Sequence, residues 1–375
     1  SIHAPPCEDA GVATAIISDL HLGLASERDL LRREPVRRAL VAALSEADEL
    51  VLLGDVVELR ERPVAHALAA ALPVLEELGR AVAGRRVTIV PGNHDHQLVA
   101  PLLESLRMRD GDGAGRLGIE TLAPPSGTGP LAVVAGAFGE SEVRIAYPGV
   151  WVRPDVFATH GHYLDVHNTV PSFERLAIGA VQRVTGRVPS AGPLSPEDYE
   201  GAVGPVYALT YALAQSARGG ARPASAGGAS VRMWRLANGY GGRLPAMLMG
   251  GVALPAAIAG LNRAGLGPLQ PDLSAVELRR AALRGMAEVV SRLGIEAEHV
   301  IFGHTHRSGP HERDEGWGLP GGARLMNTGS WIYEPNFLGP NPRESPYWPG
   351  HLALVPESGP PELLTLVHEL PADVS

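Results

Sequence analysis

The sequence predicts an α/β fold: a sheet covered by helices and interrupted by a largely helical insertion. Three observations predict it. Short apolar, β-branched runs end in clusters of Gly, Asp, Asn or His; helical patterns separate these runs; and between residues 165 and 298 Ala- and Leu-rich stretches alternate with Gly, Pro and Ser.

Residues 12–18 (VATAIIS), 49–53 (ELVLL) and 86–90 (RVTIV) read as buried strands, and helices are expected over 35–44 and 63–82. A second set of strands, 131–135, 143–147 and 151–159, is joined by short turns that suggest antiparallel or mixed pairing; 299–302, 323–326 and 351–355 continue it. The expected organisation is a discontinuous catalytic domain, 12–164 and 299–368, with 165–298 as a helical cap whose loop-like part is 217–230. Residues 244–261 carry no charge and reach the lower length limit of a membrane span. Their prolines and glycines favour a buried cap helix over a lipid-facing helix or a span.

At 375 residues the chain can bury a large core. The lone Cys7 excludes an internal disulfide, and residues 1–11 lack the basic run and apolar stretch of a secretory signal, so a cytoplasmic protein is expected. A net charge of −9 argues against general nucleic-acid binding, which needs Lys and Arg to neutralise phosphates.

Five polar motifs stand at strand ends: Asp19-Leu20-His21, Gly54-Asp55-Val56-Val57-Glu58, Gly92-Asn93-His94-Asp95, His160-Gly161-His162 and Gly303-His304-Thr305-His306. Residues i and i+2 of a strand end can face one pocket, so Asp19 with His21, and His304 with His306, can each present two ligands. Glycines before Asp55, Asn93 and His304 allow tight turns. Oxygen and imidazole donors without thiolate suit manganese, iron, zinc or cobalt. Seven donors exceed one tetrahedral zinc and suit two ions sharing a carboxylate. Taken singly the motifs have blander readings, Gly54-Asp55 as a tight turn and Asp19-Leu20-His21 as a turn with a core histidine; their occurrence in series argues for a site.

These motifs, in this order, resemble the calcineurin-like metallophosphoesterase family, with its DxH, GDxx(D/E), GNH(D/E), lone His and GHxH blocks; Asn327-Thr328-Gly329-Ser330 resembles the turn that follows the last block. The resemblance implies a four-layer α/β/β/α sandwich of two mixed sheets. It implies that Asp19, His21, Asp55 and His306 hold one divalent metal ion and that Asp55, Asn93, His160 and His304 hold a second, with Asp55 bridging. His94 would face the substrate, Asp95 would orient it, and Glu58 would hydrogen-bond a ligating histidine from behind. The implied reaction is attack of a metal-bridging hydroxide on a phosphomonoester, phosphodiester or pyrophosphate.

His162 reads either as a substrate contact or as a backbone-bonded histidine, and Arg307 either as a phosphate ligand or as an exposed cation. His66, His299, His311, His351 and His368 read as structural or solvated, and His96 and His167 as surface residues. The substrate is expected to be a phosphorylated small molecule, a nucleotide or a lipid-linked molecule, with peripheral membrane contact through 244–261 allowed. A branch that cleaves UDP-2,3-diacylglucosamine is similar in its SDLHL opening, its GDxxE block and its helical cap; it carries Arg where this chain has His94 and Asp where it has His162. An inactive scaffold of the same fold is the reading from a different class.

Overall fold

The computed structural model describes residues 13–109, 115–125, 127–186, 188–189, 191–216, 254–312 and 314–370. Residues 1–11 with Cys7, the 217–230 loop, and 244–253 of the uncharged stretch lie outside them.

Thr14–Ile17 (β1), Glu49–Leu53 (β2) and Arg86–Val90 (β3) pair in parallel, with Glu34–Ser45 (α1) and Val64–Ala81 (α2) as the crossovers that parallel strands require. Beyond their first residues the strands are apolar except for Thr88, because both faces are covered. Ala15, Ile17, Leu50 and Leu52 join one apolar cluster beneath α1 and α2, while their neighbours Ile16, Val51 and Leu53 join another on the opposite face. α1 and α2 meet the sheet through helical stripes, Val36, Leu40 and Leu44 in the first and Ala67, Ala71, Val74 and Leu78 in the second.

Ala100–Arg109 (α3) follows β3, and Glu120–Ala123 (β4) is a strand the sequence patterns do not flag. Residues 131–135, expected as a strand, form a helix instead, Pro130–Gly136 (α4). Five apolar residues carry no period that separates the two states; Pro130 at the first turn opens a helix, and Leu131, Val134 and Ala135 then fall on one buried side. The expected break between 147 and 151 is also absent. Glu142–Arg153 (β5) runs through Pro148-Gly149, and the turn comes at Pro154-Asp155, before Val156–Thr159 (β6). At that dipeptide the strand exchanges partners: up to Pro148 it pairs with β3 and β4, and from Gly149 with β6. A Cβ on Gly149 would collide with the Phe157 ring, so the crossing needs glycine there.

His299–Phe302 (β7), Ser308–Gly309 (β8), Arg324–Thr328 (β9), His351–Val355 (β10) and Glu362–Thr365 (β11) complete a mixed sheet ordered β11-β10-β1-β2-β3-β5-β6-β7-β9-β8, with β4 on β5. The pairing is thus continuous through β5 as one eleven-stranded sheet, where two separate sheets were expected. The described part of 165–298 is helical: Phe173–Thr185 (α5), Pro196–Ser216 (α6), Leu254–Arg263 (α7) and Ala275–Leu293 (α8). α5, α6 and α8 share one apolar cluster with Phe157, Val300 and Phe302, so they lie directly on the β6-β7 face. Leu254 and Ile258 of α7 are buried with Leu269 and Leu273. No helix among the described residues is long and apolar enough to cross a membrane. Pro335–Leu338 (α9) is a single turn near the site described next.

Candidate metal centre

The loops leaving β1, β2, β3, β6 and β7 meet at one place, and their backbone is unusual there. Asp19, His21, Asp55, His304 and His306 adopt left-handed φ values of 55°, 43°, 52°, 66° and 55°. Among the described residues Glu27 is the one other non-glycine in that region. Each such residue costs roughly 1–3 kcal/mol, a strain that persists where surrounding structure imposes it and that concentrates at functional sites.

The side chains converge accordingly. His160 Nε2 lies 3.2 Å from Asp55 Oδ2, and His21 Nε2 lies 3.6 Å from the same oxygen. His306 Nε2 is 3.3 Å from Asp19 Oδ1 and 3.2 Å from His21 Nε2. Asn93 Oδ1 lies 3.1 Å from His160 Nε2 and 3.0 Å from His304 Nδ1. All seven candidate ligands therefore belong to one cluster, with Asp55 reaching both of its halves. Asp19 with His21 and His306, and Asp55 with His160 and His304, are groups whose donor atoms are close enough to hold a metal ion.

Each imidazole is oriented from behind. His21 Nδ1 faces Glu58 Oε2 at 3.1 Å, His160 Nδ1 faces the Leu53 carbonyl at 2.9 Å, His304 Nε2 faces Asp165 Oδ2 at 3.0 Å, and His306 Nδ1 faces Glu334 Oε2 at 3.3 Å. An outward N–H donated to these acceptors leaves the inward nitrogen of each ring with its lone pair directed into the cluster, which is how metal-ligating histidines are held. Asp165 and Glu334 carry no motif signal; Asp165 lies in the 3-10 turn His162–Val166 and Glu334 directly precedes α9, each away in sequence from the histidine it holds.

The charges favour a cation. Asp19, Asp55 and Glu58 are buried, and they face imidazoles, backbone N–H groups and the Ser18 hydroxyl, with no Lys or Arg side chain paired to them among the described residues. Burial alone would lower His160, but the facing Asp55 carboxylate raises it to about 9. His306, also opposed by burial, is held well above its ordinary value by Asp19 and Glu334. The pocket therefore attracts positive charge, which divalent ions supply more strongly than protons. Asn93 fits the same logic. Turned one way, its amide nitrogen would donate to Asp55, His160 and His304, with its oxygen 2.9 Å from Arg60 Nη1; turned the other way, Oδ1 joins those acceptors around a cation.

Glycine is required at Gly92 and Gly303 by close approach, and neither has a left-handed φ. A Cβ on Gly92 would strike Asp55 Oδ1 and stand 2.7 Å from His160 Nε2; one on Gly303 would strike Ser18 and Asp19. Asn327 pins the last loop by donating to the Gly303 carbonyl at 2.7 Å and to Thr305 Oγ1 at 3.0 Å.

The structure places Asp95, His162, His96, His167 and Arg307 differently from one or more of the readings above. Asp95 does not orient His94: its carboxylate accepts the backbone N–H groups of Gly92 and Val56, both at 2.7 Å, and so clamps two loops together. Glu58 Oε2 holds His94 Nδ1 instead, at 2.6 Å. His162 is buried and lines neither cleft beside the cluster; its Nε2 lies 3.1 Å from the Tyr147 hydroxyl, which donates to Glu200. A surface place is also wrong for His96, whose side chain is 13 % exposed and meets Glu200 Oε2 at 3.0 Å, and His167 is bonded to the Tyr199 hydroxyl at 2.7 Å. Arg307 is buried rather than exposed and does line a cleft.

Two clefts meet at Asn93 and His94. One, of about 330 Å³, extends past His304 and His306 toward α8 and Arg307; the other, of about 460 Å³, passes Arg60 and His96 toward α6. His94, with 27 % of its side chain exposed, borders both.

Residues 13–179 match the family model described as calcineurin-like phosphoesterase, and His304 and His306 come from beyond that segment. No curated protein matches the chain.

Proposed function

We propose, for a chain that belongs through residues 13–179 to the calcineurin-like phosphoesterase family, that it hydrolyses a phosphoester bond with two divalent metal ions. The observation that carries this reading is the convergence of Asp19, His21, Asp55, Asn93, His160, His304 and His306, with every imidazole held from behind. Asp19, His21, Asp55 and His306 would hold one ion, and Asp55, Asn93, His160 and His304 the other; manganese, iron, zinc and cobalt all suit this donor set. When bound, such ions supply a water acidified toward neutral pH and neutralise the charge on phosphoryl oxygens.

The chain's own contribution centres on His94. Glu58 occupies its Nδ1, which leaves Nε2–H as the ring's remaining donor, and the ring borders both clefts. Burial opposes its protonation, but Glu58 and Asp55 outweigh burial and raise its pKa, so His94 is suited to give a proton to the leaving oxygen. Arg60, buried beside Asn93 and extended toward Glu174, adds positive charge where phosphoryl oxygens would sit.

Clefts on both sides of His94 support a substrate with groups on both sides of phosphorus, a diester or a substituted diphosphate, over a monoester. The 165–298 segment would act as the cap that selects it, since α6 and α8 wall the two clefts. The cluster of Ile16, Val51, Val90, Val150, Ala158 and Ile301, which has no helical member, supports the sandwich arrangement of two sheet halves. A cytoplasmic location remains part of this reading, on the lone Cys7.

A second reading is a lipid-linked diphosphate of the UDP-2,3-diacylglucosamine type, with peripheral membrane contact through 244–261. The apolar lining of Leu164, Leu278, Leu283, Phe302, Trp317 and Phe337 favours it.

The test is turnover by metal-loaded protein across nitrophenyl mono- and diesters, nucleotides, cyclic nucleotides and lipid diphosphates, with metal content measured alongside. Chelator-sensitive hydrolysis is expected. Tightly held metal with no hydrolysis of any ester would favour the inactive scaffold.

A further inference from the structure

The cleft beyond His304 contains two arginines that the proposed hydrolysis does not use. Arg307 is 6 % exposed; its guanidinium lies 4.9 Å from the Trp317 ring centre and pairs with Asp314 at 2.9 Å, while its buried Nε has no hydrogen-bond partner. Arg279 of α8 is half-buried and lines the same cleft, and among the described residues no carboxylate pairs with it. Both guanidinium groups thus border the same cleft that opens beside His304 and His306. The acids along this wall are engaged elsewhere: Glu334 with His306, Asp165 with His304, and Glu174 with Arg60. Two cations facing an apolar cleft with one counter-ion are costly, and an incoming anion would offset that cost. The planar guanidinium fork is matched to oxyanions such as phosphate or carboxylate.

We infer that Arg279 and Arg307 form an oxyanion subsite beside the metal centre, so that the phosphoester this protein cleaves bears a second anionic group on the limb entering this cleft. The inference rests on the phosphoesterase reading for its substrate. The subsite itself does not.

The test compares phenyl phosphate and bis(4-nitrophenyl) phosphate, whose limbs are neutral, with 4-carboxyphenyl phosphate and a nucleoside diphosphate sugar, whose limbs carry a carboxylate or a second phosphate. Arg279→Ala should raise KM about tenfold for at least one of the anionic-limb substrates, leave kcat near wild type, and leave the neutral-limb substrates unchanged. Which anionic-limb substrate responds identifies the anion. An equal change on all four substrates would mean that the arginine serves the scissile phosphate, and no change on any would mean that it serves none; either result overturns the inference. Sulfate titrated into the metal-loaded protein, read by tryptophan fluorescence with Trp317→Phe as control, decides the subsite without turnover. A Trp317-dependent response that Arg279→Glu abolishes supports it, and no response overturns it. Should no ester be hydrolysed, the phosphoesterase reading falls alone.

Discussion

Glu58 Oε2 lies 2.6 Å from His94 Nδ1 and 3.1 Å from His21 Nδ1, so one buried carboxylate aligns a substrate-facing imidazole and a candidate metal ligand together. Glu58→Gln keeps the shape but cannot accept from both rings with full charge. Turnover should fall about 10- to 100-fold, with weaker metal retention, as loss of such supporting contacts does. Steady-state kinetics with metal analysis checks this, and an unchanged kcat would remove Glu58 from the arrangement.

Asp55 and His94 should separate metal binding from proton delivery. Asp55→Asn removes the carboxylate shared by both halves of the cluster and should lower occupancy at both metal positions. His94→Ala should lower kcat about 10²- to 10⁴-fold with metals retained. Elemental analysis of both variants beside their activity distinguishes the roles; normal turnover in either contradicts the one assigned to it.

Gly92→Ala should lose metal although position 92 offers no ligand. Its Cβ would be driven against Asp55 Oδ1 and His160 Nε2, displacing two donors at once. Metal content well below wild type in a protein with an unaltered far-ultraviolet spectrum is expected. Full occupancy would show that the loops yield without consequence.

Stability should decline with acid in a window set by two histidines outside the cluster, buried His351 and half-buried His167. Burial, with His311 adding to it, lowers His351 to about 4, and burial with Arg292 and Arg175 lowers His167 to about 4 as well. Each native-state pKa lies below the unfolded value, so the unfolded chain takes up the proton first; the stabilisation is complete above about pH 6.5 and is lost as pH falls toward 4. For His351 the loss is on the order of 3 kcal/mol. Urea denaturation at pH 7 and pH 4.5 should show a smaller pH difference in His351→Gln than in wild type. An equal difference would mean that His351 does not titrate in this window.

Where an apolar run opens on a charged residue or histidine and is closed by Gly or Pro, as at 49–53, 86–90, 299–302 and 351–355, the strand in the structure has the bounds read from the sequence. Such a run must be buried and leaves one way to begin and end. At 131–135 the same apolar character is compatible with either state, and packing against α2 after a helix-opening proline decides for α4. Pro148-Gly149 reads as a turn because those residues usually make one, yet here they let β5 pass from one set of partners to another.

The sequence by itself determined which atoms could bind a cation, because donor chemistry belongs to residue type: two aspartates, an asparagine and four histidines at strand ends. Only the tertiary structure decided how those donors are held. Asp165 and Glu334 reach His304 and His306 across 139 and 28 residues, and Glu58 rather than Asp95 reaches His94. Such pairings depend on where loops lie in space, and no local pattern of residues records a distance between segments that the chain brings together only by folding.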